Sequence, residues 1–192
     1  MCNKKISNTS VSKFISDILY LRGVRCAVIS PGSRNTPLTK AFIENKKIKC
    51  YSQIDERSSA YFALGIAKTS NKPVAIITTS GTAVANLMPA VIEASLSRTP
   101  LILLTADRPK RLINTGASQT IDQVDLFGHY VREMIDFDLT DNSILEKLKK
   151  IHQFLDFALG NKTLLPPGPI HFNIRLDEPL LDKCLNEPET IQ

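Results

Sequence analysis

The sequence predicts an α/β fold in which a six-stranded, mainly parallel sheet lies between two layers of helices, a three-layer α/β/α arrangement. Six short apolar segments alternate along the chain with segments whose apolar residues recur at helical spacing. One of these apolar segments, residues 74–79, contains no charged side chain, as expected of a strand that is buried on both faces of a parallel sheet.

The individual elements follow from local signals. A first helix is predicted over residues 11–21, because its apolar residues share one helical face, with Ser10 as N-cap and Gly23 as the stop. The predicted strands are Cys26–Ile29, 48–53, 74–79, 101–105, 131–139 (an edge strand) and 169–174. The other predicted helices begin near Pro37 and span 55–68, 81–97 and 144–158, with helical turns expected in 119–127.

The composition is that of a single globular domain. The chain has 192 residues, of which 43% are hydrophobic and 22% charged, and a net charge of +5. We expect one domain over residues 1–192 with a core of about 7–181. The lysines are dispersed and no aromatic residues interleave with them, so the positive charge does not indicate a nucleic-acid partner.

No membrane or secretory segment is indicated. Residues 73–92 carry no charge and are long enough to span a bilayer, but they include Pro89, Asn86 and a run of small polar residues. A buried strand, a turn and a buried helix describe this stretch better. The segment after Lys4 and Lys5 is interrupted by polar residues, unlike a secretory signal, so a cytoplasmic protein is predicted.

The cysteine and histidine spacings do not indicate a metal site in this chain. Cys2, Cys26, Cys50 and Cys184 form no C-x-x-C pair and lie near no histidine at zinc-ligand spacing. A domain of this size needs no disulfide framework, so reduced thiols are the simplest interpretation.

The turns that follow the predicted strands hold the residues of chemical interest. Ligands of parallel α/β sheets bind at the carboxyl ends of the strands. The turns there contain SPGSRNT (30–36), DERSS (55–59), TSGT (79–82) and ADRP (106–109), followed by GASQ (116–119). The sequence contains no P-loop, no G-x-G-x-x-G turn and no G-x-S-x-G elbow, which excludes three common kinds of site.

Five colinear motifs in these turns resemble one family. They are SPGSRNTPL (30–38), DERSSAYFALGIAK (55–68), TSGTAVANLMPAVIEA (79–94), LILLTADRP (101–109) and GASQTIDQ (116–123). The sequence resembles the 2-succinyl-5-enolpyruvyl-6-hydroxy-3-cyclohexene-1-carboxylate synthases of menaquinone biosynthesis. The resemblance implies a homo-oligomeric transferase (a dimer or tetramer) that decarboxylates 2-oxoglutarate and adds the resulting carbanion to isochorismate. It also implies thiamine diphosphate as cofactor, with Mg²⁺ holding the diphosphate.

Glu56 is the expected catalytic and cofactor-binding residue. The resemblance implies that its carboxyl group hydrogen-bonds the pyrimidine N1′ of thiamine diphosphate and so favours the tautomer that takes the C2 proton. Tyr61, Phe62, Ala63 and Leu64 are expected to supply apolar walls that raise the pKa of this carboxyl group. Residue chemistry alone favours a simpler interpretation, in which Asp55 and Glu56 only complement a helix N-terminus.

Four further residues are expected to bind substrate. Ser33 and Arg34 follow a glycine turn, and an arginine fork there suits a carboxylate. The resemblance implies that Arg108 and Gln119 line the substrate side. A structural turn with a surface salt bridge is the alternative for Ser33 and Arg34.

Two further positions are assigned to the cofactor. The resemblance places Pro31 and Thr82 among the cofactor-binding residues. From residue chemistry, Ser80, Gly81 and Thr82 also suggest a backbone nest that could bind an anion at a helix N-terminus.

The sequence departs from the family in what it lacks. No Gly-Asp-Gly motif, which the resemblance associates with Mg²⁺ binding, occurs in it. We therefore expect an N-terminal pyrimidine-binding domain of a longer protein, without the middle and diphosphate-binding domains, and inactive alone. Two alternatives stay open: an acetolactate synthase-like or other thiamine-diphosphate 2-oxoacid enzyme, and a non-catalytic module that pairs with a separate partner.

Overall fold

The sheet has the predicted number of strands. The computed structural model describes residues 7–161 and 165–181 of the chain. The sheet order is β2-β1-β3-β4-β6-β5, and every neighbouring pair is parallel. The expected α/β class is therefore confirmed. The strands are β1 (Cys26–Ile29), β2 (Lys49–Ser52), β3 (Val74–Thr78), β4 (Leu101–Asp107), β5 (Met134–Asp138) and β6 (Ile170–Arg175).

The helices cover both faces of this sheet. They are α1 (Asn8–Leu21), α2 (Thr36–Glu44), α3 (Glu56–Ser70), α4 (Thr82–Ala85), α5 (Met88–Leu96) and α6 (Ile144–Leu159). One core cluster joins the sheet to α1, α2 and α6, and includes Phe42 and Phe172. The other joins it to α3, α4 and α5 through residues such as Ile76 and Leu103. Because adjacent residues of β3 enter opposite clusters, the strand is buried on both faces, as predicted.

The first helix begins earlier than predicted. Ser7, not Ser10, is its N-cap, and the side chains of the two serines each accept a hydrogen bond from the other's backbone N–H. Ser10 thus occupies the third helical position of a capping box. The prediction of Ser10 as N-cap was wrong because a serine suits either position of this reciprocal motif.

The helix predicted over 81–97 is divided into α4 and α5. Pro89 stands in the first turn of α5, where its missing N–H costs nothing. In a continuous helix this proline would have to donate to the carbonyl group of Ala85, which it cannot do. The chain therefore ends α4 at Ala85 and restarts at Met88.

No α-helix forms in 119–127, where helical turns were predicted. The segment instead contains Gln119 with a left-handed backbone (φ 50°) and a turn at 124–127, and a 3₁₀ helix follows it at Gly128–Tyr130. Polar side chains rather than helical backbone bonds hold this segment against the sheet, as described below. The uncharged stretch 73–92 forms β3, a turn and most of two helices. Within the described residues no helix is long and apolar enough to cross a membrane.

Candidate functional site

The loop after β1 is fixed by its own asparagine and by the neighbouring strand. Asn35 is fully buried; its Oδ1 accepts from the Gly32 N–H at 3.0 Å, and its Nδ2 donates to the Ser30 carbonyl at 2.9 Å. A Cβ atom on Gly32 would lie only 2.4 Å from the Cβ of Thr79, so the loop packs directly against the end of β3. The result is a rigid turn that carries Ser33 and Arg34.

The predicted residues of this loop point in different directions. Pro31 and Ser33 are exposed, whereas Arg34 retains only 7% of its accessible surface. The Arg34 Nη1 donates to the Leu176 carbonyl at 3.0 Å and lies 3.2 Å from the Glu178 carboxylate. Its Nε is buried and has no hydrogen-bond partner among the described residues. One part of the guanidinium fork is thus anchored, while another is left without a partner.

Arg108, which follows β4, lies near Arg34. Its Nη2 donates to the Ser118 carbonyl at 3.1 Å, and its Nε is likewise buried without a partner in the described part of the chain. Burial lowers the pKa of Arg34, and the positive charge of Arg108 lowers it further. Two partly unsatisfied guanidinium groups with mutual repulsion form a site that an anion would stabilise.

The segment that carries Gln119 rests on the turn after β3. The Ser80 hydroxyl donates to the Gln119 carbonyl at 2.9 Å. Gly81 has φ 84°, and a Cβ atom there would lie 3.0 Å from the backbone of Gln119. Gln119 itself is exposed and adopts the left-handed conformation, which is uncommon for a residue other than glycine. Its side chain is therefore presented at the carboxyl edge by a constrained backbone.

The backbone nest suggested at residues 80–82 does not have all of its N–H groups free to bind an anion. The Gly81 N–H donates at 2.9 Å to Oε1 of Gln123, so this amide already has an acceptor. Thr82, the first residue of α4, is exposed at the same edge. The consecutive backbone N–H groups of this turn therefore do not form an anion-binding nest.

Glu56 and Asp55 have separate tasks at the start of α3. Asp55 is the N-cap, and its carboxylate accepts from the Ser58 N–H at 2.7 Å, which lowers the pKa of Asp55. The side chain of Glu56 is half-buried and accepts no hydrogen bond from the described residues. Capping therefore accounts for Asp55 and leaves the Glu56 carboxyl group unused by the fold.

The four residues expected as walls around Glu56 divide into two pairs. Ala63 and Leu64 are buried in the core beneath α3. Tyr61 and Phe62 are exposed, with 46% and 39% of their surface accessible. Only one pair thus contributes to the core, and the exposed pair lies on the outer side of the helix.

A buried polar network lies beneath these loops, and sequence reasoning assigned it no role. Gln123 and Asn173 are fully buried, and a 2.8 Å bond joins Gln123 Nε2 to Asn173 Oδ1. The Asn173 amide donates to the carboxylates of Asp107 and Asp136, both at 2.9 Å. Arg175 pairs with the same two carboxylates. Gln123 and Asp107 lay in recognised motifs, but Asp136, Asn173 and Arg175 lay in none, and the four members other than Gln123 come from three separate strands.

The cysteines and the possible metal ligands can be compared with the sequence predictions only within the described residues. Cys26 and Cys50 are free thiols, while Cys2 and Cys184 lie outside the described residues. In 7–161 and 165–181 no three histidine, cysteine, aspartate or glutamate side chains are grouped so that they could hold a metal ion.

Comparison with protein families identifies the region that contains the site. Residues 9–126 match the family model described as thiamine pyrophosphate enzyme, N-terminal TPP binding domain. The matched range includes all the turns after β1, β2, β3 and β4.

Curated relatives match over nearly the whole chain. A 2-succinyl-5-enolpyruvyl-6-hydroxy-3-cyclohexene-1-carboxylate synthase of Lysinibacillus sphaericus is 44% identical over 191 residues, which are 100% of this chain and 33% of the relative. Proteins of the same name from Trichodesmium erythraeum and Natronomonas pharaonis are 48% and 44% identical, over 96% and 94% of this chain. The aligned region is 31% of the length of each of these two relatives, so this chain spans about a third of the length of the proteins that it matches.

Proposed function

The chain belongs to the thiamine pyrophosphate enzymes as their N-terminal TPP binding domain, and from this premise we propose that it serves 2-succinyl-5-enolpyruvyl-6-hydroxy-3-cyclohexene-1-carboxylate synthase activity. In this activity 2-oxoglutarate is decarboxylated and its carbon fragment is added to isochorismate. The observation that carries the proposal is a pair of arginines, Arg34 and Arg108, whose Nε atoms are buried and have no hydrogen-bond partner among the described residues. Both substrates are carboxylic acids, which such a pair suits.

The residues of the site fit a bound thiamine diphosphate. The Glu56 carboxyl group accepts no hydrogen bond from residues 7–161 and 165–181, so it is proposed to bond the pyrimidine N1′ and to share a proton with it. Pro31 and Thr82, both exposed at the same edge, are proposed to contact the cofactor. When bound, the cofactor stabilises the negative charge that decarboxylation leaves on the substrate carbon.

The substrate carboxylates are proposed to bind on the arginine side of the edge. Arg34 and Arg108 each have a buried nitrogen with no acceptor in the described part of the chain, and Ser33 is an exposed hydroxyl donor on the loop that carries Arg34. Gln119 is exposed, and its backbone is held against the Gly81 turn, so its side-chain amide is proposed to bind substrate as well. Arginine forks bind carboxylates with defined orientation, which an enzyme that joins two acids requires.

The remaining parts of the active site are proposed to come from sequence equivalent to the other two thirds of the relatives. We place there the diphosphate-binding part and its Mg²⁺ ligands, and we propose a homo-oligomer, a dimer or tetramer, in the cytoplasm.

The test is isochorismate consumption by the complete gene product with thiamine diphosphate, Mg²⁺ and 2-oxoglutarate. We expect consumption that requires 2-oxoglutarate and falls at least about 100-fold in Glu56→Gln, the range associated with loss of proton transfer. Decarboxylation of pyruvate, with isochorismate left intact, would instead indicate an acetolactate synthase-like or decarboxylase enzyme. That result would remove the assignment of Ser33 and Arg34 to isochorismate.

A further inference from the structure

We propose that Gln123 is a positioning residue that sets the backbone of Gly81 and Gln119 and, through a buried network, that of Arg108. The inference rests on the proposed function, because it concerns residues assigned there to cofactor and substrates. Gln123 does not reach the edge itself: its side chain is fully buried, 42 residues along the chain from Gly81.

The amide of Gln123 joins three elements of the fold. Its Oε1 accepts from the Gly81 N–H at 2.9 Å, while its Nε2 donates to the Ala106 carbonyl at 3.2 Å and to Asn173 Oδ1 at 2.8 Å. One donor faces the oxygen and two acceptors face the nitrogen, so only one orientation of this amide satisfies all three partners. Gln123 thereby fixes the position of the turn after β3 relative to the ends of β4 and β6.

Gly81 transmits this position to Gln119. The two backbones are in close contact, since even a methyl group on Gly81 would come within 3.0 Å of the Gln119 carbonyl group. The Ser80 hydroxyl binds the same carbonyl at 2.9 Å. A shift of the Gly81 turn must therefore displace Gln119, whose left-handed backbone leaves few alternative conformations.

The second arm of the network leads to Arg108. Asn173 donates to Asp107 and Asp136, and the Arg175 Nη1 pairs with Asp107 at 2.9 Å. The same Nη1 donates to the Arg108 carbonyl at 3.0 Å, and Asp107 accepts from the Arg108 N–H at 2.7 Å. Both backbone groups of Arg108 are thus bound by this network.

Gln123 Nε2 is the nearer of two donors to Asn173 Oδ1, at 2.8 Å against 3.1 Å for the Thr105 hydroxyl. That hydroxyl also lies 2.7 Å from Nε2 of His171. Asn173 directs both of its own N–H groups to carboxylates, so its oxygen is the atom that faces the Gln123 donor. A carboxylate at position 123 would face two acceptors, whereas a protonated carboxyl group would restore one donor.

Two substitutions separate positioning from simple destabilisation. Gln123→Met keeps the volume and removes all three bonds, while Gln123→Glu keeps the acceptor for Gly81 and makes the donor depend on pH. Phe137→Leu is the control. Phe137 is fully buried in the core cluster that joins the sheet to α1, α2 and α6. This substitution should lower stability without changing a residue of the Gln123 network or of the turns at the carboxyl edge of the sheet. Each variant is prepared as the complete gene product with thiamine diphosphate and Mg²⁺.

The kinetic readout is the KM for 2-oxoglutarate and for isochorismate against kcat. For Gln123→Met we expect KM to rise at least about tenfold and kcat to fall, at temperatures where the protein remains folded. Gln123→Glu should approach wild type as pH falls, a trend that Gln123→Met should not show. Kinetic constants for Gln123→Met that match those of Phe137→Leu would overturn the proposal.

Amide hydrogen exchange at Gly81 gives a result that does not depend on turnover, because this N–H donates to Gln123 Oε1. In Gln123→Met the Gly81 amide should exchange faster while those within β3 keep their protection; unchanged exchange at Gly81 also overturns the proposal. If the wild-type protein consumes no isochorismate, the proposed function fails by itself. The exchange data then still decide whether Gln123 holds this turn.

Discussion

The Nη1 of Arg34 lies 3.0 Å from the carbonyl oxygen of Leu176, so the loop after β1 meets the segment after β6 above the ends of β3 and β4. β3 and β4 separate β1 from β6 in the sheet, and this bond therefore crosses the middle of the carboxyl edge. Arg34 is both a structural tie and a charge held at the site, since its Nε has no acceptor among the described residues.

Arg34→Lys should separate these two roles. A lysine can still donate to the Leu176 carbonyl, but it lacks the Nε and the second terminal nitrogen of the fork. We expect the KM for the carboxylate substrates to rise about tenfold or more, equivalent to ~1.4 kcal/mol, with little change in melting temperature. Steady-state kinetics of the complete gene product measure both substrates.

Arg111→Lys is the matched control for that experiment. Arg111 forms an exposed ion pair with Asp177, with Nη2 and Oδ1 2.8 Å apart, and exposed pairs contribute little. Its kinetic constants should stay within about twofold of wild type. Equal effects of the two arginine substitutions would remove the special role of Arg34.

Asp55 and Glu56 should respond oppositely to substitution. Asp55→Ala removes the N-cap of α3 and should lower stability by about 1 kcal/mol while most activity remains. Glu56→Gln removes no bond within the described residues, so it should leave the melting temperature nearly unchanged and abolish turnover. Thermal unfolding and turnover of both variants, measured side by side, distinguish capping from catalysis; a reversed pattern would assign the chemistry to Asp55.

Much of the fold was predictable because its signals are local. Apolar periodicity located every strand, and the position of Glu56 directly after β2 follows from that assignment. The break before α5 was also visible in principle, since Pro89 cannot continue a helix from Ala85.

The contacts that organise the site could not be predicted in this way. Gln123 bonds to Gly81 and to Asn173, which are 42 and 50 residues away. Such pairs form only after the sheet order is set, and no local pattern specifies that order. For the same reason the left-handed backbone of Gln119, which depends on packing against Gly81, was predicted as helical turns.

Stability should fall in acid because of His171. This side chain is fully buried beside Thr105, with Nε2 and Oγ1 2.7 Å apart, and burial lowers its pKa from 6.5 to about 3. Between these values the unfolded chain binds a proton that the folded chain does not. The free energy of unfolding is therefore unaffected by protonation of His171 above pH 6.5. As pH falls from 6.5 toward 3, it decreases by ~1.4 kcal/mol per pH unit.

His171→Gln isolates this contribution, because glutamine keeps a polar group but does not titrate in that range. The free energy of unfolding, measured by urea titration between pH 4 and pH 7, should depend less on pH in the variant by about that slope. Other titrating groups cancel in the comparison of the two proteins. Parallel pH profiles would show that His171 is protonated in the folded state or that the unfolded state does not bind the proton.

Gly32→Ala should disturb the loop that carries Ser33 and Arg34. The added Cβ would lie 2.4 Å from the Thr79 Cβ and 2.8 Å from its Cγ2 and Oγ1. This distance is too short for two carbon atoms, so either the loop or Thr79 must move. Asn35 bonds the loop at Gly32 and Ser30 and so holds it together as a unit. We expect this unit to move away from Thr79. Overpacking of this kind typically costs about 1–3 kcal/mol.

The paired substitution Gly32→Ala with Thr79→Gly identifies the cause of that loss. Removing the whole Thr79 side chain eliminates the three closest contacts of the added methyl group. If the clash displaces Arg34, the double variant should recover a lower KM than Gly32→Ala alone, even though Thr79→Gly by itself costs stability. A double variant whose KM is no better than that of the single one would show that Gly32 is needed for close approach of a ligand, and not for its contact with Thr79.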